Sequence, residues 1–302
     1  MPWNPEQLPD LGGRTYAVTG GSAGIGYFIS EQLTGAGAHV ILLGRSPERL
    51  AAAVETIKRH TGSGEVSTIR LDLADLDSVR EAAGELGTRD RVDALIENAG
   101  STSPGRTRHT TKQGFELAVG TNHLGHFALT ALAMPALTTW HARIVPMGSL
   151  ITRLAPFALD DLLTERKYSQ SRAYANSKHA VQSFGFELDR RLRAAGSKVE
   201  CILAHPGFSL DRASPRREHI TEPKAWLRLA APVTQGKDRG AWPAVRAAVD
   251  PGARGGQFYG PARGGVGEPV LKTAVEADRD PAIAAKLWTR SEELTGIEFT
   301  VG

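Results

Sequence analysis

The stretch Tyr174-Ala-Asn-Ser-Lys178 sets a phenol four residues ahead of an ammonium group. On a helix these two positions share a face, so both polar tips can reach one site. A free tyrosine, with a pKa of about 10, holds its proton at neutral pH and is a poor base unless something stabilises the phenolate. A cation one helical turn away is such a stabiliser, and it would bring the phenol toward the range useful for proton transfer. The spacing permits this chemistry without proving it. A second pair, Tyr168 and Arg172, repeats the spacing with a guanidinium but lacks the following helix context, and is read as a decoy.

A second chemical signal is Thr19-Gly-Gly-Ser-Ala-Gly-Ile-Gly26, which follows a β-rich run directly and opens a helical one. Gly20, Gly24 and Gly26 would let the backbone turn tightly, approach a diphosphate and pack helix on strand. Ser22 and Ile25 lie within the turn, and the free amides at the start of the helix suit an anion. The spacing is G-x-x-x-G-x-G and not the commoner G-x-G-x-x-G. At the end of the next β-rich run, where an NAD-binding fold carries an acid for the ribose 2′-hydroxyl, the chain has Arg45 and then Ser46, the expected cap of the following helix. A guanidinium at the positive end of a helix is unfavourable unless an anion compensates, and a 2′-phosphate would. NADP(H) is therefore expected, ahead of NAD(H).

The elements that must position these groups alternate along the chain. β-rich runs at residues 14–20, 38–44, 65–71, 91–98, 142–148 and 198–205 are separated by helical runs, including a long one expected over 112–139. Nearly unbroken Val, Ile and Leu runs indicate strands covered on both faces. The expected fold is α/β, a doubly wound parallel sheet of the Rossmann type with helices on both faces, forming one domain over residues 1–302. A further strand is expected at 255–261, and a C-terminal helix over 280–296 with Asp280 as its cap, presenting Ile283, Leu287, Ser291 and Leu294 to the body. Residues 207–235 are read as a cover over the site, with Phe208, Leu210, Ile220, Trp226, Leu227 and Leu229 as candidates for an apolar pocket wall.

Composition bounds the remaining classes. The chain has 302 residues, 41% apolar and 23% charged, with a net charge of +3. That charge implies no nucleic-acid footprint without a basic stripe, and the nearest cluster, Arg212, Arg216 and Arg217, reads as a solvated loop. Cys201 is the only cysteine, which excludes an internal disulfide and fits a reducing compartment. No apolar run approaches the length of a membrane span, and neither a signal peptide nor an integral membrane segment is expected, so the location expected is cytoplasmic. His123 and His126, three apart, lack partners for a metal set, and His205 reads as a packing residue.

Together these motifs resemble the short-chain dehydrogenases/reductases of the three-residue-spaced glycine type. The resemblance covers nearly the whole chain, in order: residues 19–26, Asp72-Leu73, Asn98-Ala99-Gly100, Asn122, Ser149, Tyr174 with Lys178, and His205-Pro206-Gly207. The runs TNHLGHFALT (121–130), FYGPARGG (258–265) and LWTRSEELTG (287–296) are similar to the retinol-dehydrogenase-like branch. The resemblance implies catalytic roles for Asn122, Ser149, Tyr174 and Lys178. Ser149 would hold the substrate oxygen, Tyr174 transfer the proton, Lys178 bind the nicotinamide ribose and Asn122 help relay protons. It implies that Asp72 holds the adenine amino group and Asn98 flanks the adenosine ribose. Leu73, Ala99, Gly100, Pro206 and Gly207 would complete the dinucleotide site. The implied activity is NADP(H)-dependent interconversion of an alcohol and a carbonyl on a fairly apolar small molecule; the alternative is a non-catalytic NADP(H)-binding sensor or scaffold on the same fold. A homo-oligomer, dimer or tetramer, is common in the family, and monomers remain open for this branch. Two departures stand out: Glu97 where the family often has asparagine, and Asp211 where it usually has a threonine touching the carboxamide. Ser209 is a candidate substitute for that hydroxyl.

Overall fold

A computed structural model of the chain describes residues 3–62, 64–218, 220 and 234–301. The first half alternates strictly: β1 (Thr15–Thr19), α1 (Gly24–Gly35), β2 (His39–Gly44), α2 (Pro47–Thr61), β3 (Glu65–Arg70), α3 (Leu76–Gly87) and β4 (Ala94–Glu97). There follow a single turn α4 (Leu117–Val119), a π-helical turn (Gly120–Leu124), α5 (Gly125–Trp140), β5 (Arg143–Pro146) and α6 (Gln170–Ala194). The remainder comprises β6 (Glu200–Cys201), β7 (Leu203–Ala204), α7 (Lys237–Val249), β8 (Phe258–Arg263), β9 (Val266–Leu271), α8 (Glu276–Arg279) and α9 (Pro281–Thr295).

The six-stranded sheet runs β3-β2-β1-β4-β5-β6, all parallel. Because side chains alternate across a strand, one run feeds two cores. On β2, Ile41 and Leu43 join a core with Leu95 and Ile144 under α3, α5, α6 and α9, while Val40 and Leu42 join Val18, Ile96 and Val145 under α1, α2 and α7. Ile41, Leu42, Leu95 and Ile144 are all completely buried, which is why these strands read as continuous apolar runs. The doubly wound sheet read from the sequence is the architecture observed.

Four elements differ from expectation. The run at 198–205 forms two short strands interrupted at Ile202, whose amide bonds Ile144 O while that of Leu203 bonds Gln257 O. The strand thus hands over from β5 to β8, which pairs parallel with β7 and antiparallel with β9. The long helix expected from 112 starts only at Leu117 and carries the π turn, with residues 101–116 in loops and turns ahead of it. Helix α7 and strand β9 were not expected.

The C-terminal helix does form. The Asp280 carboxylate accepts from the amides of Ala282 and Ile283 at 2.7 and 3.2 Å, and Gly296 ends the helix at φ 64°. Its buried face is centred on Ala284, Leu287, Trp288 and Ser291, with Ile283 and Leu294 only at its margins. Trp288 stacks against Phe184 and Phe299, at 5.8 and 4.7 Å between centroids, and Arg191 lies over its ring.

Candidate active site

The glycine turn is built so that its three glycines disfavour any side chain of their own. Gly20 and Gly24 adopt φ of 66° and 58°, which disfavours L side chains. Gly26 is excluded from substitution by space: a Cβ there would stand 2.4 Å from Gly20 O and 2.4 Å from Asn98 Nδ2. Asn98 in turn donates from Nδ2 to Thr19 O at 3.0 Å, tying the end of β4 to the end of β1. The amides at the start of α1 therefore face an open cradle of bare backbone, which fits a dinucleotide diphosphate.

That turn forms one end of a cleft of about 660 Å³ over the carboxyl ends of the strands. Its walls carry Gly20, Ser22, Gly24, Ile25, Arg45, Asp72, Leu73, Asn98, Ala99, Gly100, Pro206 and Gly207 together with Ser149, Tyr174 and Lys178. Residues spread over almost the whole sequence thus meet in one cavity. Three expected residues do not reach its surface. Gly26 lies beneath the turn, and the Ser46 hydroxyl is used locally, accepting from Arg49 N at 3.3 Å and donating to Glu48 at 2.7 Å. Asn122 lies behind the wall in the middle of the π turn: its amide donates to Ser101 O and Ser177 Oγ, and its Oδ1 accepts from Ser101 N at 2.7 Å. Its side chain thereby fixes the loop after Gly100 rather than facing the cleft.

Tyr174 on α6 and Ser149, in the segment after β5, meet on the cleft wall through the packing of α6 on the sheet. Burial pushes the Tyr174 phenol up, and the hydrogen bond with Ser149 pulls it back in part. Lys178 Nζ lies 6.0 Å from the tyrosine ring centroid and donates to Met147 O at 2.8 Å. Burial brings the ammonium down to about 8. From the sequence, Lys178 and an oxidised nicotinamide together are expected to lower the phenol; among the groups of the chain itself, desolvation dominates both Tyr174 and Lys178. Ser149 is held from behind. Its amide donates to Gln182 Oε1 at 3.0 Å, an approach open only because Gly148 has no Cβ, and Gln182 Nε2 donates to the buried Asp278 at 2.5 Å.

Other residues gain roles the sequence did not disclose. Arg49 lines the cleft beside Arg45, one turn into α2. Lys237, at the first position of α7, also lines it and pairs with Asp211, the acid that stands in place of the expected threonine. Ser209 lines the cleft, but its hydroxyl donates to Pro206 O at 2.8 Å. His126 links the two halves of the site, since its Nδ1 donates to Asn122 O and its Nε2 accepts from Thr19 Oγ1, which also receives Ala99 N. His123 is held by Ser291 at 2.8 Å within the core. Only a map of the tertiary contacts brings these groups together; nothing in their local spacing does.

None of the described candidates for an apolar cover stands on the cleft wall. Phe208 and Leu210 are about half exposed and Ile220 packs against the α1 side of the core, while Trp226, Leu227 and Leu229 lie outside the described residues. Arg217 is not solvated as expected: it binds Glu31 at 2.6 and 2.9 Å and anchors the chain to α1, and the side chain of Arg212 lies outside the described residues. No helix among the described residues is long and apolar enough to cross a membrane.

Comparison with known proteins agrees with this geometry. The family model described as short chain dehydrogenase matches residues 14–217. Dehydrogenase/reductase SDR family member 13 of Bos taurus is 35% identical over 299 residues, covering 96% of this chain and 75% of that protein. Retinol dehydrogenase 13 of Homo sapiens is 35% identical over 300 residues, 95% of this chain and 86% of that one. Polyprenol dehydrogenase of Mus musculus is 34% identical, covering 97% and 87%. An uncharacterized protein from Mycobacterium Paratuberculosis superposes with a TM-score of 0.82 at 35% identity over 99% of both chains. A metagenomic short-chain oxidoreductase solved with NADP gives 0.53 at 26% identity over 66% of this chain and 84% of that one. With the glycine cradle, the parallel sheet and the Ser149–Tyr174–Lys178 wall in place, the chain belongs to the short-chain dehydrogenase/reductase family, in its retinol-dehydrogenase-like branch, and is an oxidoreductase acting on small molecules.

Proposed function

We propose that the protein is an NADP(H)-dependent alcohol dehydrogenase or carbonyl reductase in which Tyr174 moves the proton. The observation that carries this reading is the convergence of Ser149, Tyr174 and Lys178 on the cleft that begins at the glycine turn. A bound nicotinamide dinucleotide supplies the hydride in reduction and accepts it in oxidation. In the reductive direction Ser149 donates a hydrogen bond to the carbonyl oxygen as it gains charge, and the Tyr174 hydroxyl gives that oxygen its proton. Lys178, charged below about pH 8, stabilises the phenolate left behind. Asn122 supports the reaction by positioning the Ser101 loop and not by facing the substrate.

NADP(H) preference rests on Arg45 and Arg49, two cations on the cleft wall at the start of α2, where no acid awaits a ribose hydroxyl. The solved relative that holds NADP is in keeping with this. Relatives named for retinol and polyprenol support a fairly apolar alcohol, aldehyde or ketone as substrate. Residues 207–235 are the proposed substrate cover, a cytoplasmic location is the proposed setting, and a homo-oligomer is the proposed assembly.

The test is NADPH oxidation against a panel of ketones and aldehydes, with Tyr174→Phe as control. Turnover should fall by about 10²- to 10⁴-fold in the variant while NADPH still binds. Binding without turnover above the variant on any panel member would favour the non-catalytic scaffold.

A further inference from the structure

The turn Asp211–Ala213 and the first residue of α7 meet at the mouth of the cleft. Lys237 Nζ lies 2.7 Å from Asp211 Oδ1. The two partners face different surroundings. Lys237 lines the cleft and is largely covered, whereas Asp211 is about half exposed and contributes nothing to the cleft wall. A Cβ built on Gly24 would stand 3.6 Å from Lys237 Nζ, so the ammonium group lies over the middle glycine of the turn.

This placement is held by the backbone as well as by charge. The Lys237 amide donates to Ser214 Oγ at 2.8 Å, and Ser214 Oγ donates to Leu210 O at 3.1 Å. Gly236 packs so closely on the Asp211–Ala213 turn that a Cβ there would be 2.6 Å from Ala213 O. The lysine stem therefore starts from a fixed point.

Electrostatics give the arrangement its meaning. Lys237 stands at the positive end of the α7 dipole and points at the positive end of the α1 dipole, which is unfavourable for a cation unless anions are near. Asp211 supplies one from the solvent side. The cleft side faces the amides of the glycine turn, where a diphosphate would bring two negative charges.

We propose that Lys237 binds the diphosphate of the nicotinamide dinucleotide from across the glycine turn, and that Asp211 competes for the same ammonium and so sets how tightly the dinucleotide is held. The proposal rests on the dinucleotide-binding reading of the cleft. It assigns to Lys237 a contact common to NADP(H) and NAD(H), in contrast to Arg45 and Arg49.

The experiment is calorimetric titration of the full chain with NADP⁺ and with NAD⁺, at two or more salt concentrations. Lys237→Met should weaken both by on the order of tenfold or more, the value of a charged hydrogen bond, and flatten the salt dependence. Lys237→Arg should recover most of the affinity. Asp211→Asn should shift the other way and tighten both by a few-fold. This variant alters one half-exposed charge, so it keeps the test decisive should Lys237→Met fold poorly. Unchanged affinity in Lys237→Met would overturn the proposal, as would weakening by Asp211→Asn equal to that of Lys237→Met, which is the signature of a purely structural staple. Wild-type protein that binds neither dinucleotide would instead remove the reading of the cleft itself, and this proposal with it.

Discussion

Burial acts on the titratable groups around the cleft in opposite senses, and this sets their responses to pH. Lys178 is brought down to about 8 and the Tyr174 phenol is raised, so at neutral pH the pair is an ammonium beside a protonated phenol. Because a dinucleotide is anionic, its affinity should fall as pH rises through about 8 and Lys178 loses its proton; Lys178→Met should remove that dependence, as read by titration across the range. Arg45→Ala should weaken NADPH more than NADH, and equal effects on both would remove the basis for NADP(H) preference. Glu97 carries a stability prediction. It is fully buried at the end of β4, takes a hydrogen bond from Thr130, and has its carboxyl pushed up to about 8 by burial. An acid whose folded pKa is raised favours the fold fully below its unfolded value of about 4.5, and that contribution is lost as pH rises toward about 8. Glu97→Gln should therefore raise Tm, and by more near pH 8 than near pH 5, as measured by thermal melts. Sequence pattern exposed Tyr174, Lys178 and Ser149 because their chemistry depends on residue type and spacing. It could not expose Lys237 or Arg49, whose relevance comes only from where folding places a charge.

At the scale of elements, the glycine turn, the π turn and the capped C-terminal helix show three grades of legibility. The turn was readable because positive φ and close packing can be met by glycine alone; Gly26→Ala should abolish dinucleotide binding and lower Tm, since its methyl would collide with Gly20 O and Asn98. Helix α9 was readable from Asp280, Pro281 and Gly296, whose cap chemistry is local. Asp280→Ala should cost about 1 kcal/mol in unfolding free energy measured in urea. Its buried face was misplaced by a fraction of a turn, because Trp288 enters the aromatic cluster through Phe127, Phe184 and Phe299, partners distant in sequence. The π turn at Gly120–Leu124 gave no such signal. A helical pattern does not register one extra residue, yet that turn is what carries Asn122 behind the Ser101 loop. The break at Ile202 escaped for a similar reason: a strand that exchanges partners keeps its apolar run.

For the whole molecule, the doubly wound sheet brings Thr19, Asn98, Ser149 and Pro206 to the same carboxyl edge, so one cleft collects residues separated by most of the chain. The fold class was legible because both faces of the central sheet are buried and β1, β2, β4 and β5 report it. Of the return through α7, β8 and β9, only β8 was legible, because α7 and β9 carry Gly and Pro in their interiors and are held by contacts such as Gln235 bridging Pro206 O and Gly267 N. That return closes the cleft beside the glycine turn and places Lys237 there. The central claim is that this cleft joins hydride transfer to a proton moved by Tyr174. Its most direct test is reduction of a carbonyl substrate with NADPH deuterated at nicotinamide C4, followed by mass spectrometry of the product. Deuterium on the carbinol carbon, lost with turnover in Tyr174→Phe, is the predicted result; a product formed without deuterium, or labelled equally fast by the variant, would contradict it.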